Sequence, residues 1–364
     1  MTETQAFIAL NMVPRLGPVR LKRLLGRFGS PQAVLAAKSA ELSSVEGIGP
    51  EAAKSIANWE AQVDLENELR KIEEFGAHVL TWNSAEYPAP LKEIYDPPIV
   101  LYVWGELKLK DRHAVGVVGT RKPSHYAAEA AKKLSYQLAY AGLTVFSGLA
   151  RGIDTAAHQG ALAAQGRTVA VIGSGLMKLY PPENEALARR IAAGNGAVIS
   201  EFSMDVKADR QSFPMRNRIV SGCSFGLLVV EAGLNSGALI TATQAGEHGK
   251  SIYAVPGRID QPGCMGSNRL IQQGAKLVIS AQDVLDDFGM LFPTQPDVKS
   301  PVLAPKLEPE EQSIYEALGD EEVHIDDIAA KCGLPSHEVS SSLLALEMRR
   351  LVKQLPGARF VKLL

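Results

Sequence analysis

The sequence predicts an α/β fold in which a doubly wound parallel sheet is preceded by a small helical domain and followed by a winged helix. Between residues 76 and 288, short runs rich in Val, Ile and Leu alternate with helical segments, the signature of parallel strands covered on both faces. Glycine-rich loops follow those runs, where an open sheet carries its ligands. Residues 289–308 hold Pro293, Pro296, Pro301 and Pro305, a composition that favours extended linker over helix.

Taken in order, residues 1–75 read as short helices broken at Leu16-Gly17-Pro18 and Val45-Glu46-Gly47-Ile48-Gly49-Pro50. The second break has the pattern of a helix-hairpin-helix turn, whose amides can hold one phosphate, and equally that of a tight turn between packed helices. Glu46 and Glu51 flank it and repel DNA, whereas Arg15, Arg20, Lys22, Arg23 and Arg27 suit such contact or form a solvated basic face. Strands are expected at His113–Val118, Leu143–Phe146, Thr168–Ile172, Ala197–Ile199, Phe225–Val230 and Ser251–Val255. Helices are expected at Tyr126–Ala141, Asp154–Ala164, Glu183–Ala193 and Ala238–Glu247. In residues 309–364, helices at Glu310–Leu318, Ile325–Cys332 and Ser336–Leu351 precede two strands around Pro356-Gly357, which is the winged-helix order.

The 364 residues, 46% hydrophobic and 21% charged, are enough for a large core plus small domains. No apolar run reaches the roughly 18 residues of a membrane span, and no secretory leader pattern opens the chain. Three scattered cysteines, Cys223, Cys264 and Cys332, fit a reduced cytoplasm and exclude a cysteine zinc site. The net charge of −2 is unevenly spread: residues 101–300 carry 21 Lys+Arg against 16 Asp+Glu, residues 301–364 carry 7 against 11. A basic centre points to an anion site; the acidic tail, in which only Arg349, Arg350 and Lys353 cluster, argues against DNA contact by the winged helix.

The strand ends carry Gly119-Thr120-Arg121, Ser147-Gly148-Leu149-Ala150-Arg151-Gly152, Gly173-Ser174-Gly175, Glu231-Ala232-Gly233 and Pro256-Gly257-Arg258. The second loop runs into a helix near Gly152-Ile153-Asp154, so phosphate is its expected occupant. Phe213-Pro214-Met215-Arg216-Asn217-Arg218 sets a phenyl ring among Arg210, Arg216 and Arg218, with Pro214 placed to begin a helix. Basic grooves with aromatic platforms bind single strands. The competing arrangement buries Phe213 and pairs the arginines with Glu201 and Asp205.

Catalytic patterns are weak. Gly249-Lys250-Ser251 resembles the end of a Walker A loop, but residue 244 is Gln and the segment runs from helix to strand, the reverse of the required order. Gly173-Ser174-Gly175 is followed by Met177 and Lys178, which leaves the dinucleotide fingerprint incomplete. Asp154 and His158 share a helix turn, with a capping or dipole role for the aspartate favoured over catalysis. Glu231, ending an apolar strand, reads as a carboxylate that binds neighbouring loop amides more readily than as a general base. The histidines lack metal-ligand spacing.

Gly119-Thr120-Arg121, Ser147 to Asp154, Phe213 to Ser221, Ser236-Gly237-Ala238-Leu239-Ile240-Thr241 and Ala254-Val255-Pro256-Gly257 occur together and in order. With Tyr87-Pro88, Pro97-Pro98 and Tyr102-Val103-Trp104-Gly105 they closely resemble the DprA/Smf family of bacterial DNA-processing proteins over nearly the whole chain. The resemblance implies a sterile-alpha-motif or helix-hairpin-helix domain, an extended Rossmann-like core with a mostly parallel sheet, and a winged helix. It implies a non-catalytic, cofactor-free homodimer that binds and protects single-stranded DNA during natural transformation and loads the RecA recombinase. The pocket it implies contains Gly119, Thr120, Arg121, Arg210 and Phe213, with Arg216, Asn217 and Arg218 nearby. Arg151 and the amides of Ser147, Gly148 and Gly152 would hold phosphate, and Lys250 joins by charge and strand order. The core also resembles the lysine-decarboxylase-like phosphoribohydrolases, which hold a nucleoside monophosphate. Their catalytic glutamate has no counterpart here, since no carboxylate follows Gly237 before Glu247.

Overall fold

The computed structural model describes residues 1–291, 309–318, 323–348, 351–355 and 357–362. Met1–Pro293 forms one compact unit and Thr294–Leu364 a second. Most of the linker at 289–308, together with Arg349 and Arg350, lies outside the described residues.

The first unit opens with helices α1 (Glu3–Met12), α2 (Pro18–Phe28), α3 (Pro31–Ala36), α4 (Ser39–Ser43), α5 (Pro50–Ala57) and α6 (Leu65–Phe75). Local chemistry marks their starts. Thr2 and Gln5 form a capping box on α1, Ser30 caps α3, Asp64 caps α6, and prolines open α2, α3 and α5. The hairpin before α5 turns at Gly47, whose φ of +82° lies in the left-handed region. Its carbonyls are held from α2: Arg23 donates to Glu46 O at 2.9 Å and Arg20 Nε to Gly47 O at 3.2 Å, while Arg15 pairs with Glu51. Three of the five arginines and lysines expected to suit DNA contact thus tie the helix pairs together, and Glu51 serves as an ion-pair partner.

Nine strands follow: β1 (His78–Thr81), β2 (Val100–Gly105), β3 (Ala114–Val118), β4 (Thr144–Ser147), β5 (Thr168–Val171), β6 (Gly196–Ser200), β7 (Gly226–Val229), β8 (Ser251–Ala254) and β9 (Lys276–Leu277). Between and after them lie α7 (Ala89–Lys92), α8 (His125–Tyr140), α9 (Ile153–Ala163), α10 (Glu185–Arg190), α11 (Ser212–Cys223), α12 (Gly237–Glu247), α13 (Met265–Gln272) and α14 (Gln282–Leu291). The sheet order is β1-β2-β6-β5-β4-β3-β7-β8-β9. Strands β3 to β9 run parallel, whereas β1 and β2 are antiparallel additions, β2 pairing with β6 through Tyr102↔Ser200 to Gly105↔Ala197. The helix expected at Glu183–Ala193 is shorter, because Ala193 and Gly194 leave helical geometry just after α10.

Alternate residues of each strand feed opposite layers, as a pleated strand requires. Val115, Val117, Leu228 and Val230 face α8, α9 and α14. Val118, Leu227 and Val229 join Ile219, Val220, Ala238 and Ala242 under α11 and α12. At the other end, Tyr102, Ala170 and Val198 share a core with Phe7, Leu10 and Ile72, so the N-terminal helices pack directly on the sheet.

The second unit contains α15 (Pro309–Ala317), β10 (Val323–His324), α16 (Ile325–Cys332), α17 (Ser336–Met348), β11 (Val352–Leu355) and β12 (Arg359–Lys362). Its strands pair antiparallel in the order β10-β12-β11, around Ile314, Ile328, Val339, Leu343 and Phe360. This is the winged-helix arrangement, with β10 as an addition that its two-residue length hides in the sequence.

Candidate nucleic-acid interface

The strand order reverses between β3 and β7, and their carboxyl ends diverge there into a crevice. A cleft of about 950 Å³ opens at that point, lined by the loop after β3, the first half of α11, and the turn that leads from β7 into α12. Its lining includes Gly119, Thr120, Arg121, Lys122, Arg210, Phe213, Arg216 and Asn217. Four cationic side chains line it against one carboxylate, that of the buried Asp154.

At the rim, the exposed Arg121 guanidinium stands over the Phe213 ring, 4.8 Å from its centroid. Tyr180 approaches the same ring at 6.0 Å, tilted by 53°. Phe213 is half-buried in the first turn of α11, which begins at Ser212, two residues before the Pro214 expected to open it, and it lines the cleft. Arg210, one turn earlier, remains exposed.

Deeper in, Arg216 is 4% exposed and donates to Val171 O at 2.7 Å, while its Nε has no partner. Burial lowers its pKa to about 10, with Asp154 opposing the shift and Arg121 adding to it. It lies directly against Gly148, where a Cβ would stand 1.6 Å from Nη1. A side chain at position 148 would therefore have to displace the buried guanidinium from its place.

In the loop between β4 and α9, expected to hold phosphate, a carboxylate already engages one of the three expected amides, that of Gly148. Ala150 N–H donates to the Asp154 carboxylate at 3.2 Å and the Gly148 N–H points to the same group. Ser147 is buried and donates to Val117 O at 2.6 Å. Gly152, with φ of +79°, brings its Cα so near Thr120 O that a Cβ would stand 2.4 Å away. Asp154, four residues beyond Ala150, thus engages two of the loop's amides, while Gly152 brings the loop close against the loop after β3. Arg151 stays exposed but pairs with Glu183.

Two expected members lie elsewhere. Arg218 is 5% exposed and bridges Asp96 at 3.0 Å and Glu201 at 2.5 Å. It follows Phe213 by five residues, which turns it about 140° around α11 and away from the ring. Lys250 precedes β8, at the amino end of the sheet, and lines a separate cleft with Asp96, Glu247 and His248. Strand direction explains that placement: a residue before a parallel strand lies at the edge opposite the strand's carboxyl end. Of the alternative ion pairs expected for the segment, Glu201 takes Arg218, but Asp205 pairs with Lys71.

Glu231 accepts from Ser124 N–H at 3.1 Å and from Ser124 Oγ–H at 2.6 Å, fixing the loop that carries Arg121 where α8 begins. It is the amide-binding carboxylate that its place at the end of a buried strand implied. Tyr180, against the Phe213 ring, and Lys122, in the cleft lining, are additions to the expected set. Lys122 adjoins Arg121 in plain view, and Lys178-Leu179-Tyr180 repeats the basic and aromatic interleaving of the Phe213 segment.

Three family models match successive parts of the chain. DNA recombination-mediator protein A covers residues 78–289, the DprA winged helix domain 298–358, and a SAM-like helix-hairpin-helix tandem 7–59. The chain belongs to the DprA/Smf family. Protein Smf of Synechocystis is 34% identical across 99% of this chain and 98% of its own length, and Protein Smf of Escherichia coli 38% identical across 80% and 79%. Among solved structures, DNA processing protein A of Streptococcus pneumoniae superposes with a TM-score of 0.70 at 34% identity, over 79% of this chain and 99% of that one. DNA processing protein A from Helicobacter pylori, described for its single-stranded DNA binding mode, gives 0.53 at 29% identity over 59% and 97%. In this DprA/Smf chain the arginines and the phenyl ring that carried the resemblance divide into a rim set, Arg121, Arg210 and Phe213, and an internal set, Arg216 and Arg218.

Proposed function

We propose that this DprA/Smf chain is a single-stranded DNA-binding recombination mediator that holds incoming DNA during natural transformation, loads the RecA recombinase onto it, and catalyses no covalent step. The observation that carries the reading is the pairing of Arg121 with the Phe213 ring at the topological switch point of the sheet. Arginines and Lys122 offer charge to the backbone without reading sequence, and Phe213 with Tyr180 offers a face to an unpaired base that duplex DNA keeps stacked inside. The single-strand binding described for the Helicobacter pylori relative supports this occupant. The RecA step rests on family resemblance.

The reading includes a homodimer acting in the cytoplasm. Edge strand β9 supports the dimer: Leu277 is 45% exposed and Ile279, just beyond it, 78%. Among the described residues no helix is long and apolar enough to cross a membrane, and no cluster of His, Cys, Asp and Glu suits a metal ion. A hydrolytic role lacks its acid, because Glu247 lies at the far end of α12 from the cleft.

The test is a titration of labelled single-stranded and duplex oligonucleotides of one sequence at two salt concentrations. Single strands should bind more tightly, with affinity falling as salt rises. Equal affinity for duplex would overturn the stacking role, and release of free base from a nucleoside monophosphate would reinstate the hydrolase.

A further inference from the structure

Helix α8 leaves the rim of the cleft just beyond Arg121 and Lys122 and carries its exposed side for 16 residues, about 24 Å. At about 100° per residue, His125, Glu129, Lys132, Lys133, Tyr136 and Tyr140 fall within one stripe, and all six are exposed to solvent. Ala127, Ala131, Leu134 and Leu138 occupy the opposite, buried side. Glu129 is the stripe's one carboxylate.

Tyr136 and Tyr140, one turn apart, are 41% and 65% exposed. Their rings lie parallel to within 5° at 6.2 Å between centroids. Single exposed aromatics are ordinary. A parallel pair in line with two lysines, on a helix that begins at a cationic cleft, combines the two elements by which single strands are held: charge for the backbone and flat faces for the bases.

We propose that the α8 stripe is a second contact surface for the same single strand, which passes from the cleft over Lys122 and along α8, with Lys132 and Lys133 at its phosphates and Tyr136 and Tyr140 stacking its bases. The proposal rests on the cleft being a single-strand site and extends the length of strand the protein covers. Charge complementarity and continuity with the cleft rim favour nucleic acid as the occupant over a protein.

The experiment compares the full chain with Tyr136→Ala/Tyr140→Ala, Lys132→Gln/Lys133→Gln and Phe213→Ala, using single strands of about eight nucleotides, enough for one binding site, and others several times longer. The tyrosine pair should weaken the longer strand about tenfold or more and leave the shorter unchanged, since each lost stack removes at least several-fold in affinity. The lysine pair should lower the salt slope for the longer strand by about 1.4, and Tyr136→Phe/Tyr140→Phe should bind as the parent does. Phe213→Ala should weaken both lengths. Unchanged long-strand affinity and slope in the α8 variants, with Phe213→Ala still weakened, would overturn the α8 track and leave the cleft standing. Loss of self-association or of recombinase binding without loss of DNA affinity would reassign the stripe to protein contact. Failure of the parent chain to bind either length would remove the cleft reading and the α8 track together.

Discussion

At the scale of single residues, the Phe213 segment holds two chemistries in one turn and a half of helix. Phe213 and Arg121 meet at the surface, where replacing Phe213 by Ala should weaken single-strand binding by about 1–3 kcal/mol, the contribution of one stacked base, with little change in salt slope. A folded Phe213→Ala, Arg121→Ala double variant that binds as tightly as the parent would remove the site. Arg218 behaves oppositely. Burial lowers its pKa, yet Glu201 and Asp96 outweigh this and raise it; the Glu201 carboxyl is raised by burial against the pull of Arg218. Arg218→Ala leaves that carboxylate buried without its cation, so it should destabilise the fold by about 3–5 kcal/mol in denaturant unfolding. Reduced DNA affinity at unchanged stability would instead return Arg218 to the binding surface. Residue types announced a basic aromatic segment. Which arginine faces outward was not legible, because that depends on the 140° separating positions 213 and 218 once a helix forms and on acids supplied from Asp96 and Glu201.

At the scale of elements, helix α9 is tied to β5 through His158, whose Nδ1 lies 2.7 Å from Thr168 Oγ1. That hydroxyl donates to Val145 O, so the imidazole is the donor to Thr168 and its buried Nε2 is left without a partner. Burial, and secondarily Arg216, lowers its pKa from 6.5 to about 3. Between those values the unfolded chain binds a proton that the folded chain refuses, so this contribution is full above pH 6.5 and is lost as pH falls. Unfolding free energy should drop on this account by about 2 kcal/mol between pH 7.5 and pH 5, and His158→Gln should lack that component. An identical pH dependence in both proteins would show that His158 titrates freely. The structural role expected for Asp154 and His158 is what their positions deliver. In the glycine loop the Ala150 and Gly148 amides face the Asp154 carboxylate of the following helix, a partner that loop composition alone does not reveal. The periodicity showed the central strands and helices well. It missed β1 and β2, the antiparallel additions that precede the repeating strand-loop-helix pattern, and also β9 and β10, two residues each, since so short a strand has no period to read.

At the scale of the whole molecule, the sheet has an apolar edge where β9 ends, and edges of that kind invite a second chain. If the proposed homodimer forms through this edge, the parent should show dimer mass in light scattering and Ile279→Lys should yield monomers at the same concentration. Parent-like mass would move the interface to another face. The sequence alone determined the α/β class, the order of strands, loops and helices, the winged-helix unit and the family, because each is written in local spacing and composition that survives without a partner segment. The tertiary structure decided where the strand order reverses, and so which loops share a cleft. It set Arg121, Lys122, Arg210 and Phe213 around one opening with Tyr180 against the Phe213 ring, turned Arg216 and Arg218 inward, and sent Lys250 to the opposite edge. Those outcomes depend on strand direction, helix phase and the position of carboxylates distant in the chain, which only the folded sheet brings within reach.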